Sequence, residues 1–209
     1  MAKDLNAKCK QCRREGMKLF LKGEKCFSPK CPMIKRNYPP GLHGQKGRRR
    51  STEYGQQLRE KQKAKRIYGI LERQFRNYYL KAIKKQGDTG EIIQQLLETR
   101  LDNMVYRLGL TNSRRQARQL VNHGLFTVNG KKVNIASYQI KAKDEIAIKE
   151  SKIKAKIFSD LEKRLEKKEA PSWISFDVKN KKAKILNIPK SDELEQTFNP
   201  RLIVEFYSK

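Results

Sequence analysis

TRLDNMVYRLGLTNSRRQARQLVNHGLFTVNGKKVNIASYQIKAKDEIAIK, from Thr99 to Lys149, is the stretch whose reading decides the fold. Ile93, Leu97, Leu101, Met104, Val105 and Leu108 recur at helical spacing and predict one helix over about Glu91 to Gly109. Gly109 stops it as a glycine just past the last turn does, and Asp102 is read as a charge on its surface. Ser113 with Gln116 three residues on is a capping-box signature for a second helix. Ala117, Leu120 and Val121 are its packing side, and Arg114, Arg115 and Arg118 occupy the opposite and flanking side. The helix N-terminus adds partial positive charge and free N–H groups, which suit phosphate. Gly124 ends this helix, with His123 in its last turn. Phe126 and Val128 then run into Asn129–Gly130, the strongest short signal for a two-residue hairpin turn. Lys131 and Lys132 stand at its tip, and Ile146 and Ile148 alternate in a further strand after the Lys143–Asp144 turn. The unit is a helix pair with a small, mainly antiparallel sheet, so the fold class is α+β.

Upstream, a long helix is expected over roughly Tyr54 to Lys85, with Gly69 a point where it can divide in two. Ala64, Ile67, Tyr68, Leu71, Phe75, Tyr78, Tyr79 and Ala82 form its packing stripe. Arg59, Lys63, Arg66, Arg73, Arg76, Lys81 and Lys84 lie on the other side, interrupted only by Glu60 and Glu72. A face that served solubility alone would mix signs, so this side reads as a cationic rail. Gln86 to Gly90, QGDTG, is the turn that follows.

The charge of the whole chain points the same way. Its 49 Lys+Arg against 22 Asp+Glu give a net +27, which repels a second copy and attracts polyanions. Nucleic acid and anionic membranes are the two candidates. No apolar run approaches the ~18 residues of a membrane span, and MAKDLNAKCK lacks the apolar core of a secretory signal. Apolar residues are 37%, so the core should be modest.

Residues 1–50 carry 15 Lys+Arg against 3 Asp+Glu and little regular periodicity. Cys9, Cys12, Cys26 and Cys31 supply an ordering cause: C-x2-C-x13-C-x4-C is two close pairs joined by a loop, which suits a tetrahedral thiolate site. Neighbouring lysines and arginines, Arg13 and Arg14 among them, are expected to favour the thiolates. One zinc ion leads; a four-thiolate iron–sulfur cluster uses the same ligands, and two disulfides or free thiols are the plain alternatives. Asn37 to Thr52, NYPPGLHGQKGRRRST, is loop by its Pro and Gly, and Lys46, Arg48, Arg49 and Arg50 read as a phosphate-contacting arm rather than a solvated linker.

Downstream, Phe158 to Lys168 is expected to be a charged helix, opened by a Ser159–Glu162 capping box. Trp173, Ile174 and Phe176 with Ile185, Leu186 and Ile188 flank a KNKK hairpin, Trp173 being a core anchor. Asn199–Pro200 starts a last helix docked by Leu202, Ile203 and Phe206.

RLDNMVYRLGL, SRRQARQLVNHG and TVNGKKV together resemble the S-four RNA-binding domain. YGQQLREKQKAKRIYGILERQFRNYY and the closing LIVEFYSK extend the likeness to the bacterial-type small-subunit ribosomal protein four family, and the paired cysteines to its metal-binding variant. The resemblance implies a structural, non-catalytic protein of the small ribosomal subunit in the cytoplasm. Its implied partners are small-subunit rRNA at a multi-helix junction, messenger RNA at the entry tunnel, and ribosomal proteins three and five, with no membrane and no small-molecule substrate. It further implies nucleation of subunit assembly and an influence on decoding accuracy. Lys46, Arg48, Arg49 and Arg50 match the region of the family's messenger-entry residues. The implied organisation is a four-cysteine segment over 1–45, a helical domain over 46–98 completed by 196–209, and a second domain over 99–195 with the RNA-binding module at 99–150. The same module occurs in RNA-modifying enzymes, and Arg100-Leu101-Asp102 echoes the motif around a pseudouridine synthase's catalytic aspartate. Here no chain remains for a catalytic domain once the module is removed, and His43 and His123 are the only histidines. A free-standing assembly factor or translational repressor is the other alternative.

Overall fold

The computed structural model describes residues 4–47, 50–152, 155, 158, 171–177 and 181–209. The chain divides into two compact units, Met1–Gln94 with Glu195–Lys209, and Gln95–Leu194.

In the first unit, the cysteine-bearing segment forms three short helices, α1 (Lys8–Glu15), α2 (Glu24–Phe27) and α3 (Pro32–Lys35). Gly16 ends α1 in the left-handed region at φ 78°, donating its N–H to the Cys12 carbonyl. The long helix expected over Tyr54 to Lys85 divides at Gly69 into α4 (Glu53–Ile67) and α5 (Glu72–Ile83). Gly69 has φ 63°, and Leu71 beyond it is extended. The break turns Ile70 inward, 2% exposed, and leaves Leu71 of the expected packing stripe at the surface. Thr52 caps α4 by accepting from the Gly55 N–H at 3.2 Å. The C-terminal helix, Pro200–Ser208, lies against α4: Asn199 caps it, Ile203 is fully buried, and Phe206 stands 5.6 Å from Tyr54. Tyr207 stacks at 4.7 Å on Tyr79 of α5.

The second unit begins within α6 (Thr89–Glu98), which is followed by α7 (Leu101–Arg107) and α8 (Arg114–Asn122); the C-terminal helix of the first unit is α9. The single helix expected over Glu91 to Gly109 is therefore two. Arg100 is extended (ψ 138°) and pairs in an antiparallel bridge with Gln139. The segment 136–140 takes up the backbone groups that the break exposes. Ile140 N–H donates to Thr99 O, and Leu101 N–H to Tyr138 O, both at 2.9 Å. Asp102 is not the surface charge expected of it. It is 3% exposed and holds the wholly buried Arg100 through Nε (2.9 Å) and Nη2 (2.7 Å).

Among the described residues, five antiparallel strands run in the order β2 (Lys131–Lys132), β1 (Phe126–Val128), β3 (Glu145–Ile148), β5 (Lys182–Ile185), β4 (Ile174–Asp177). Phe126 pairs with Ile148 and Val128 with Ile146, so the period-two pattern places all four on one face. Asn129 (φ 49°) and Gly130 (φ 76°) both take positive φ, as the predicted two-residue hairpin requires. That face and the α7–α8 pair close over Leu101, Met104, Val105, Ala117, Val121 and Trp173. Burial of each large apolar side chain there contributes roughly 1.5–3 kcal/mol. Trp173 is the core anchor expected. Phe158 packs edge-on to Phe126 at 6.3 Å; the rest of the helix expected from Phe158 to Lys168 lies outside the described residues.

Candidate nucleic-acid interface

The cationic side of α4 differs from the open rail of the sequence reading. Its charges find carboxylates within the protein. Arg59 and Arg66 both meet Glu15, whose side chain is 1% exposed, and Lys63 meets Glu60 at 2.6 Å. Burial pushes the Glu15 carboxyl up, and Arg66 and Arg59 only partly offset it; burial and the nearby Arg66 and Arg14 push Arg59 down. Lys61, 5% exposed, lies 4.2 Å over the Phe206 ring and 2.8 Å from Glu72, which also takes Lys65 at 2.9 Å and the Tyr207 hydroxyl at 2.7 Å. Burial raises the Glu72 carboxyl, but these three hydrogen bonds outweigh it and hold the pKa down at about 2. Sequence marked Glu60 and Glu72 as mere interruptions; they are the counter-charges of the helix. Arg73, Arg76 and Lys81 on α5, and Lys84 just past its end, are exposed and form the part of the rail that faces solvent.

In the cysteine segment, Arg14 is exposed, and Arg13 is turned inward, its Nε donating to Tyr38 O at 3.0 Å and its guanidinium 4.8 Å over the Tyr38 ring. Lys46 and Arg50 are exposed; Arg48 and Arg49 lie outside the described residues. Cys12, Cys26 and Cys31 are buried, and all four cysteines are free thiols. The Lys22 N–H donates to Cys26 Sγ at 3.3 Å. Desolvation opposes the thiolate form at Cys12 and Cys26, while Lys18 favours it at Cys26. Burial pushes both thiols up, and repulsion from the other cysteines pushes in the same direction. Four cysteine sulfurs are the donor set of a tetrathiolate site. Among the described residues, no three or more His, Cys, Asp or Glu side chains are arranged to hold a metal ion.

On α8, Ser113 accepts from Gln116 N–H at 3.3 Å, and Gln116 in return accepts from Asn112 N–H at 3.0 Å, one residue earlier than the capping box expected. The three arginines of this helix do not share one surface. Arg115 is exposed, Arg118 is 9% exposed, and Arg114 leans back, its Nε donating to Asn103 Oδ1 at 2.7 Å and its guanidinium 4.7 Å over the Tyr106 ring. Lys131 and Lys132 are exposed on β2. A Cβ on Gly124 (φ 66°) would fall 2.3 Å from Lys132 Cε, so glycine there both ends α8 and admits the lysine stem.

Sequence reading missed Arg107, Glu98 and Asn103. Glu98 and Arg107 are nine residues apart, which on one continuous helix at ~100° per residue places them on opposite faces. The break at Arg100 brings them together, with Arg107 Nη2 2.7 Å and Nε 2.9 Å from the Glu98 carboxylate.

An antiparallel sheet backed by a capped helix pair, joined to a second, helical unit and carrying a net +27, defines a polyanion-binding protein whose arginines are aimed by neighbouring side chains. Residues 3–98 match the family described as Ribosomal protein S4/S9 N-terminal domain, and residues 99–146 match the S4 domain. Across 100% of both chains, the protein is 50% identical to small ribosomal subunit protein uS4 of Thermus thermophilus, 52% to that of Koribacter versatilis and 50% to that of Clostridioides difficile. The chain belongs to the uS4 family of small ribosomal subunit proteins.

Proposed function

We propose that the protein is a structural, non-enzymatic constituent of the small ribosomal subunit in the cytoplasm, where it binds small-subunit rRNA. The observation that carries this reading is its half-identity, end to end, with uS4 relatives. Mechanism follows from charge and shape. Most cations meet phosphates, so affinity falls steeply with salt. Specificity comes from folded RNA shape, because the deep groove of A-form helices admits few side chains. Exposed Arg14, Arg73, Arg76, Arg115, Lys131 and Lys132 contact backbone phosphate directly; Arg13, Arg59, Lys63, Arg66, Arg114 and Arg118 act from positions set by the protein's own contacts. As a primary binder the protein nucleates subunit assembly. Lys46, Arg48, Arg49 and Arg50 face messenger RNA at the entry tunnel, and ribosomal proteins three and five are its neighbours, which gives it an influence on accuracy.

The four cysteines hold one zinc ion. The four-thiol donor set, the burial of three of those thiols and the N–H···S bond to Cys26 support this. Cys9, Cys12, Cys26 and Cys31 would hold the ion, which when bound would cross-link the cationic N-terminal segment.

Binding of the full-length protein to a small-subunit rRNA transcript and to a large-subunit transcript, measured across salt concentrations, tests the RNA reading. Tighter binding to the small-subunit transcript at every salt supports it; equal affinity for both rejects it.

A further inference from the structure

We propose that Phe20 and Phe27 form a stacking platform for an unpaired RNA nucleobase. The proposal rests on the RNA-binding function argued above and names the part of the RNA that one patch of the surface takes. The two rings are stacked, with centroids 5.0 Å apart and planes 27° from parallel. Each follows a buried residue in sequence. Leu19 is 3% and Cys26 8% exposed, whereas Phe20 is 39% and Phe27 73% exposed. The local backbone sets this alternation. Phe20 takes φ 50°, a left-handed conformation that bulky residues seldom adopt. Phe27 is the last residue of α2, and the Lys22 N–H donates to Cys26 Sγ at 3.3 Å, which ties the loop between the rings back to that helix.

Single exposed apolar side chains are ordinary and need no partner. A stacked aromatic pair at the surface is a different feature, because each ring holds the other in place. Phe27 stays largely open even so, and its flat surface can take one more planar group. The surrounding charge decides which group. Between Glu15 and Glu53, Glu24 is the only acidic residue among ten lysines and arginines. Lys22 and Lys25 lie between the two rings in sequence and are exposed, as is Lys30. A second copy of this chain, at net +27, is repelled from such a patch. A nucleotide meets both of its demands, offering a base to the ring and a phosphate to the lysines. Unpaired bases in RNA loops and junctions stack on aromatic side chains in this way.

Full-length wild type, Phe27→Ala, Phe27→Leu and Phe27→Trp are titrated against a small-subunit rRNA transcript over a salt series. Thermal melts and proteolysis of the N-terminal segment are recorded alongside. Phe27→Ala and Phe27→Leu are each expected to bind roughly fivefold or more weakly, with an unchanged salt slope because no phosphate contact is lost. Melts and proteolysis should not change, since the side chain is exposed. Phe27→Trp should keep wild-type affinity, and its fluorescence should be quenched by RNA; the protein's one native tryptophan, Trp173, is 3% exposed and supplies the wild-type baseline. Wild-type affinity in Phe27→Ala overturns the proposal. So does wild-type affinity in Phe27→Leu, which would make the contact apolar without stacking. If the alanine and leucine variants loosen the segment, Phe27→Trp decides: an unquenched signal overturns the proposal. Wild-type RNA affinity in Phe27→Ala together with its loss from small subunits on a sucrose gradient assigns the pair to a protein neighbour and also overturns it. Failure of the wild type to prefer this transcript over an unrelated RNA of equal length instead rejects the RNA reading itself.

Discussion

Asp102 and Arg100, two residues apart in sequence, form a bidentate ion pair with both side chains almost wholly removed from water. The pair sits at the break between α6 and α7, and the Asp102 Oδ1 also accepts the Asn103 N–H at 2.9 Å. It therefore does two jobs at a helix start, neutralising a buried guanidinium and satisfying an end N–H. Breaking a buried ion pair by removing one member costs about 3–5 kcal/mol. Asp102→Ala is expected to destabilise the second unit by that order, read from chemical-denaturation midpoints. A midpoint within error of wild type would show that the pair contributes little.

The Glu72 carboxylate gives the first unit a pH signature. Its pKa is held at about 2 against an ordinary 4.5, so in the folded state it keeps its charge to lower pH. The stability it contributes is full above about 4.5 and is lost as pH falls through about 2. Glu72 is partly solvated, so screening keeps the effect small. Between those pH values, Glu72→Gln should flatten the fall in urea midpoint seen for wild type. Identical pH profiles for the two proteins would contradict the assignment.

Much of the architecture was legible in residue order because it follows local rules. Asn129–Gly130, the Ser113 cap, the glycines after α7 and α8, and the alternation in β1 and β3 each need only neighbours in sequence. The α6–α7 break needs the segment 136–140, nearly forty residues on, to take its backbone groups, so no local pattern announces it. The same holds for the site. Basic residues were easy to name, but whether a cation faces solvent or a carboxylate depends on tertiary partners. Glu15 takes Arg59 and Arg66 from more than forty positions away, and Glu98 takes Arg107 only because the helix breaks.

That sorting of cations sets a mutational contrast. Arg115→Ala and Lys131→Ala remove exposed charges, and each should lower the salt slope of rRNA binding by about 0.7–0.9 while leaving the melting temperature unchanged. Arg118→Glu places a carboxylate at a site only 9% exposed and should lower the melting temperature as well as affinity. Paired with Arg114→Glu, it is expected to weaken rRNA binding by well over tenfold at moderate salt, partly through lost structure. Unchanged binding by that double variant would remove α8 from the interface.

The cysteines make a separate prediction. Elemental analysis of purified protein should give about one zinc per chain. Iron with a visible absorbance band would replace zinc by an iron–sulfur cluster, and no metal would reject the site. Cys9→Ser should release the N-terminal segment to proteolysis, because ligand loss removes the folding energy that metal supplies.

As a uS4 family member, this chain is built into the small ribosomal subunit. Sucrose-gradient sedimentation of cell extract, with the protein tagged and followed by immunoblot, tests it most directly. The protein should co-migrate with mature small subunits and intact ribosomes and stay with them through a high-salt wash. Its appearance only with free RNA or precursor particles would contradict that claim and favour a free-standing assembly factor or repressor.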